Sequence, residues 1–242
     1  MLAAGMGNRL SGQDETHSPK CLLRFGGRTL LERHIENLQA LGVERLTIVV
    51  GYRAHEIEAE IAALGAGGFV RFVTNPRYRE GSVVSLWTGR AVLESGGPVL
   101  FMDADVLYSA EILHRLLDGP DATCFPFDTG FEDGAEPVKL CLRAGRPAEF
   151  RKAVSSDGYD TVGEWVGFIR LAPDFAAALA RRSNEYVVGG RADQPYEEAI
   201  RDLLLSAHGD SVAALDIAGL AWIEIDFPED VEQAQTRVLP RI

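Results

Sequence analysis

The chain is 242 residues long, 46% hydrophobic and 25% charged, which is the balance of an ordinary folded protein and excludes disordered, collagen-like and low-complexity classes. At this length a core that needs neither disulfides nor a structural metal is expected. Thirty-six acidic against 24 basic side chains leave a net charge of −12, which repels polyanions and argues against nucleic-acid binding, although a few local cations can still hold a small anion.

Cys21, Cys124 and Cys141 are odd in number and show no Cys-x-x-Cys spacing, so neither a disulfide framework nor a zinc site is indicated and a reducing compartment is expected. No stretch approaches the roughly 18 apolar residues of a membrane span, and the N-terminus lacks a signal-peptide pattern. The expectation is a soluble, cytoplasmic protein without membrane insertion.

In chain order, Met1-Leu2-Ala3-Ala4-Gly5 leaves about four residues for a first strand, where 5–6 is usual, and this leaves room for a start upstream of Met1. Thr29 with Glu32 three residues on forms a capping box for a helix that buries Leu30, Leu31, Ile35, Leu38 and Leu41 and stops at Gly42. A strand over 46–50, a helix over 53–64, a strand over 70–73, the loop 75–82, a helix over 84–93 and a strand over 99–102 follow. This alternation is that of a mostly parallel sheet with helices on its faces. After Asp105 a helix over 109–117 precedes strands over 123–127, 138–142 and 166–171, a more antiparallel pattern. Pro173 and Pro195 open helices, 211–217 and 222–225 read as late strands, and Pro228 starts the final helix. No repeat, Pro- or Ser-rich linker or charge block divides the chain, so a single domain is expected.

Two stretches carry chemistry. Leu2-Ala3-Ala4-Gly5-Met6-Gly7-Asn8-Arg9-Leu10 is a short strand entering a glycine-containing loop whose backbone can approach phosphate oxygens, with Arg9 as a forked cation. It fits neither the dinucleotide nor the P-loop pattern, and taken by itself a ligand-free turn is the default account. Ser18-Pro19-Lys20 then stiffens a loop that carries a second cation. The full string, from the small-residue loop through Arg9 and Pro19-Lys20 to Leu22-Leu23-Arg24-Phe25-Gly26-Gly27, resembles the signature of the sugar-phosphate nucleotidylyltransferase fold family. Gly51-Tyr52, Asn75-Pro76, Ser85-Leu86 and Asp103-Ala104-Asp105 stand in that family's order. Gly163-Glu164-x-x-Gly167 and Trp222-Ile223-Glu224-Ile225-Asp226 before Pro228 are similar to the phosphocholine cytidylyltransferase branch.

The resemblance implies an α/β, doubly wound mixed sheet of the nucleotide-diphospho-sugar transferase (Rossmann-like) type. Residues of about 1–120 would bind the nucleotide, and about 121–242 would bind the acceptor and supply the second metal carboxylate. It implies an Mg²⁺-dependent cytidylyltransferase that moves CMP from CTP to a small phosphate or phosphonate, phosphocholine-like or aminoethylphosphonate-like, and releases pyrophosphate. Arg9 and Lys20 would be catalytic. Ala3, Ala4, Gly5, Gly7, Asn8, Gly81, Ser82 and Ser85 would bind the nucleotide, and Asp105 and Asp226 the metal, with Asp103 beside them. Lys152, Glu164, Tyr196 and Glu197 would face the acceptor, Tyr196-Glu197 holding an ammonium.

The residues also leave other accounts open. Asp105 and Asp226 fit helix caps, Lys152 a solvated charge, and Trp165 the core. The five histidines show no ligand spacing and are read as surface or helix-face residues. A sugar-1-phosphate or inositol-phosphate nucleotidylyltransferase is the alternative enzyme, and a non-catalytic nucleotide-binding module the alternative of another class. The complete set Arg9, Lys20, Asp105 and Asp226 favours catalysis. The oligomeric state is open, a homodimer included.

Overall fold

A computed structural model describes residues 1–11, 17–119, 121–132, 134–155 and 157–242. Strands Leu2–Ala3, Leu46–Val50 and Val70–Thr74 are parallel, in the order 70–74, 46–50, 2–3. On its other side Leu2 bridges in parallel to Asp103, just past strand Val99–Met102. The sheet continues antiparallel from Val99–Met102 through Phe168–Leu171, Cys124–Asp128, Thr161–Trp165 and Lys139–Arg143 to Arg146–Arg151, with Ala213–Asp216 joining Cys124–Asp128 in parallel. The chain leaves Leu2–Ala3 toward one side and returns on the other. The carboxyl end of that first strand is therefore the switch point at which open α/β sheets form a crevice.

Helices cover both faces, as the doubly wound expectation requires. Leu30–Ala40, Ala54–Ala63 and Ala110–Asp118 bury Leu31, Ile35, Ile57, Ile61 and Ile112 on one face. Ser82–Thr88, Pro173–Val188 and Tyr196–Leu204 bury Val83, Leu179 and Ile200 on the other. Each such fully buried aliphatic contributes about 2 kcal/mol. The capping box forms as read, with Thr29 Oγ1 accepting the Glu32 N–H at 3.0 Å. No helix among the described residues is long and apolar enough to cross a membrane, and all three cysteines are buried free thiols.

The structure corrects three sequence expectations. The helix expected over 84–93 is two short ones, Ser82–Thr88 and Arg90–Leu93, broken at Gly89. The strand expected over 166–171 is Phe168–Leu171, and the unanticipated strand Thr161–Trp165 precedes it, the two running in the same direction against Cys124–Asp128 and separated by a bend at Gly167, whose φ is +82°. Gly163 and Gly167 weaken the local strand pattern, so only pairing with neighbouring strands defines these two elements. Of the histidines, His55, His114 and His208 are exposed, but His34 is wholly buried in the core.

Candidate active site

The first loop leaves Ala3 at the switch point and turns at Gly7, whose φ of +67° suits glycine and where a Cβ would sit 3.2 Å from Lys20 Cγ. Lys20 heads a tight turn, Lys20–Leu22, directly after Pro19. Its ammonium donates to Asp226 Oδ1 at 2.6 Å and Asp105 Oδ2 at 3.2 Å. Arg9 Nη1 donates to Asp226 Oδ2 at 2.7 Å and Glu136 Oε2 at 3.0 Å, and Lys152 Nζ reaches the same Glu136 oxygen at 3.5 Å. Four sequence-derived candidates, Arg9, Lys20, Asp105 and Asp226, thus converge on one point, with Lys152 one side chain away.

Neither aspartate acts as a helix cap. The carboxylate of Asp230 accepts the N–H groups of Asp226 and Phe227 at 2.8 and 2.7 Å, and Ser109 is the N-cap of Ala110–Asp118. Strand Trp222–Glu224 pairs antiparallel with Val106–Tyr108, and the Ile225 N–H donates to the Asp105 carbonyl at 3.0 Å, which carries Asp226 to Asp105.

Sequence reasoning did not single out Glu224 or Glu136. Oxygens of Asp105, Glu224 and Asp226 lie within 4.8 Å of one another. Glu224 stands two residues before Asp226, and the two-residue period of an extended chain could have found it. Glu136 lies in an irregular segment and carries no such signal. At that separation and an effective dielectric near 20, each carboxylate pair repels by about 3 kcal/mol. Burial and the charges of Asp105 and Asp226 accordingly push Glu224 far above the usual carboxylate range. Burial also favours neutral Asp226, but Lys20 and Arg9 outweigh it and hold its carboxyl below its ordinary value. Burial works against the charged Lys20, yet Asp105 and Asp226 raise it above its ordinary range. Three hard oxygen donors within reach of one another are of the type that could hold a divalent cation.

Of the candidate nucleotide residues, Ala3, Gly5 and Gly7 line a cavity of about 110 Å³ with Lys20 and Asp105. Ala4 is buried and its carbonyl accepts the Tyr52 N–H, and Asn8 opens the one-turn helix Asn8–Ser11. Gly81 and Ser82 are clasped to the segment before helix Tyr196–Leu204. The Gly81 N–H donates to the Ala192 carbonyl at 2.8 Å and Ser82 Oγ accepts the Tyr196 N–H at 2.9 Å. A Cβ on Gly81 would lie 2.3 Å from the Gln194 carbonyl oxygen. Ser85 is buried, its hydroxyl accepting from Asn75 Nδ2 at 3.0 Å.

Among the acceptor candidates, Tyr196 is buried against Phe101 and Trp165, with its hydroxyl donating to the buried Asp103 carboxyl. Trp165 belongs to the core and donates to the Phe168 carbonyl at 2.8 Å. Burial, then Asp128 and Asp230, push Glu164 up to about 7. Burial also raises Glu197, whose Oε2 has no hydrogen-bond partner among the described residues while the charges of Lys152 and Arg9 act on it.

Residues 1–164 match the model of the MobA-like NTP transferase domain family. The chain is 31% identical over 243 residues to a protein of Rubrobacter xylanophilus named bifunctional IPC transferase and DIPP synthase, covering 99% of this chain and 51% of that one. It is 31% identical over 223 residues to the 2-aminoethylphosphonate cytidylyltransferase of Lancefieldella rimae, covering 90% of this chain and 81% of the relative. The chain spans about half the length of several of the curated relatives it matches. In fold it is similar to the CTP:phosphocholine cytidylyltransferase of Streptococcus pneumoniae, with a TM-score of 0.74 at 18% identity over 97% of this chain and 95% of that one.

Proposed function

This chain belongs to the MobA-like NTP transferase domain family, and from that premise we propose that it is a cytosolic, Mg²⁺-dependent cytidylyltransferase that transfers CMP from CTP to a small aminoalkyl phosphonate or phosphate. The observation that carries the reading is the convergence of Lys20 and Arg9 on Asp105, Glu224 and Asp226 at the switch point. A non-catalytic binding module has no need of that paired set.

In this reading about residues 1–120 hold the nucleotide. The first loop, Ala3 to Asn8, lies along its phosphates, while Gly81, Ser82 and Ser85 shape the base side. An oxygen of the acceptor, already an anion at neutral pH, attacks the α-phosphorus, and the bond from that phosphorus to the bridging oxygen breaks to release pyrophosphate. No general base is needed. Arg9 and Lys20 bind the phosphates and neutralise the charge that gathers on the leaving pyrophosphate. Asp105, Glu224 and Asp226 would hold the divalent cation, which would supply charge neutralisation at the phosphates.

About residues 121–242 form the acceptor side. Lys152 meets the acceptor's phosphorus group. Glu164 and Glu197 accept from its ammonium, whereas Tyr196 is committed to the core through Phe101, Trp165 and Asp103. The unsatisfied Glu197 oxygen supports a cationic head group, since a buried carboxylate without a donor is costly. The similarity to the Lancefieldella rimae enzyme supports the same acceptor class. An inositol-phosphate acceptor is the second reading, since the inositol-1-phosphate CTP transferase of T. maritima has a similar fold, with a TM-score of 0.74 at 20% identity.

Pyrophosphate release measured with CTP, UTP, ATP and GTP against aminoethylphosphonate, phosphocholine, inositol phosphate and sugar-1-phosphates tests the proposal. Release confined to CTP with an amino acceptor is the expected result. Release only with inositol phosphate selects the second reading, and release with no pair refutes the enzyme.

A further inference from the structure

We infer that His34, on the helix Leu30–Ala40 and outside the site described above, is a positioning residue for the metal-binding turn Asp103–Ala104–Asp105. Its Nε2 lies 3.3 Å from the Ala104 carbonyl oxygen and its Nδ1 3.3 Å from the Tyr108 hydroxyl. The inference rests on the reading that Asp105 is a metal ligand.

The hydrogen-bonding chemistry leaves one arrangement. A carbonyl only accepts, so Nε2 carries the proton and Nδ1 accepts from the Tyr108 hydroxyl. Tyr108 in turn accepts from the side chain of Asn37, three residues along the same helix. The result is a directed chain, Asn37 to Tyr108 to His34 to the Ala104 carbonyl, in which each bond polarises the next. His34 is wholly buried, with Tyr108 and Phe168 rings at 5.3 and 6.4 Å. Burial, opposed by the bond to Ala104 and reinforced by the charge of the amino terminus, keeps the ring neutral.

The turn itself is held by main-chain bonds at its ends. The Asp103 N–H donates to the Gly167 carbonyl and the Asp105 carbonyl accepts from Ile225, both at 3.0 Å. Its middle peptide depends on the His34 donor. Without it the buried Ala104 carbonyl must rotate to find another partner, and that rotation moves Asp105, the next residue. Groups that hydrogen-bond a ligand directly typically change metal affinity by about 10- to 100-fold, and His34, which acts through the backbone next to Asp105, belongs at the lower end of that range.

The test is Mn²⁺ binding to the full, nucleotide-free chain, by titration calorimetry and by the electron paramagnetic resonance of free Mn²⁺. It compares the wild type with His34→Leu, which fills the space without a donor, and His34→Gln, whose amide can restore the bond to Ala104. Asp105→Ala is the reference for loss of the site. We expect His34→Leu to weaken Mn²⁺ by about tenfold or more and His34→Gln to bind within about threefold of the wild type. The metal concentration for half-maximal turnover should shift in parallel, with the KM for CTP unchanged. A folded His34→Leu that binds Mn²⁺ as the wild type does overturns the inference. So does His34→Gln binding as weakly as the leucine variant, and should the leucine variant not fold, the glutamine result alone decides. Binding to the wild type that survives Asp105→Ala, or no binding at all, refutes the metal assignment and this inference with it.

Discussion

His34→Gln also removes a defined contribution to the pH dependence of stability. Desolvation lowers the folded-state pKa of His34 to about 4 from an ordinary 6.5. Below pH 6.5 the unfolded chain takes up a proton that the folded chain refuses. The histidine therefore costs nothing above that pH, and stability falls progressively as the pH drops toward 4. At about 1.4 kcal/mol per unit, the gap of about 2.5 units caps the loss at about 3 kcal/mol, of which about 2 kcal/mol falls between pH 7 and pH 5. Asp103, Glu224 and Glu164 are raised carboxyls and act in the opposite sense. Both proteins contain them, so the difference between the two isolates His34. Urea unfolding at pH 7, 6 and 5 should show wild-type stability falling about 2 kcal/mol further than that of His34→Gln. Curves that stay parallel within about 0.5 kcal/mol would refute the reasoning and place a protonated, differently paired ring in the core.

Asp226→Asn removes the shared partner of Lys20 and Arg9 and one metal oxygen together, and turnover should fall by about 10³-fold in a pyrophosphate-release assay while the circular dichroism spectrum is unchanged. Lys20→Ala should have opposite effects on two measurements. Mn²⁺ binds about tenfold tighter without nucleotide, because the ammonium no longer occupies Asp105 and Asp226, and turnover falls about 100-fold or more. Gly81→Ala places a methyl 2.3 Å from the Gln194 carbonyl oxygen. Chemical denaturation should register a loss of about 1–3 kcal/mol, and the KM for CTP should rise. Glu197→Gln should raise the KM for an amino acceptor about tenfold and leave that for CTP unchanged, as initial-rate kinetics would reveal.

What could be read along the chain was what neighbours in sequence decide. The Thr29–Glu32 capping box, the buried stripe of Leu30–Ala40 and the strands Leu46–Val50 and Val99–Met102 follow from spacing and propensity and occur where expected. Arg9, Lys20, Asp105 and Asp226 were legible as candidates because each sits in a short stretch whose order matches a known family. Their convergence was not. Lys20 and Asp226 are 206 residues apart and Arg9 and Asp226 are 217 apart. The antiparallel pairing of Trp222–Glu224 with Val106–Tyr108 carries Asp226 to Asp105, and the first loop and the turn after Pro19 bring Arg9 and Lys20 to it.

Tertiary structure likewise decided that Asp230, inside the last helix, accepts the N–H groups of Asp226 and Phe227, leaving the Asp226 side chain to Lys20 and Arg9. It brought Glu224 into the carboxylate cluster and committed Gly81 and Ser82 to the segment before Tyr196. It also buried His34, which the sequence placed at the surface or on a helix face. Periodicity reports which side of an element is apolar. Whether a lone polar residue there meets a partner depends on the element packed against it, and for His34 that is the turn from Asp103 to Asp105.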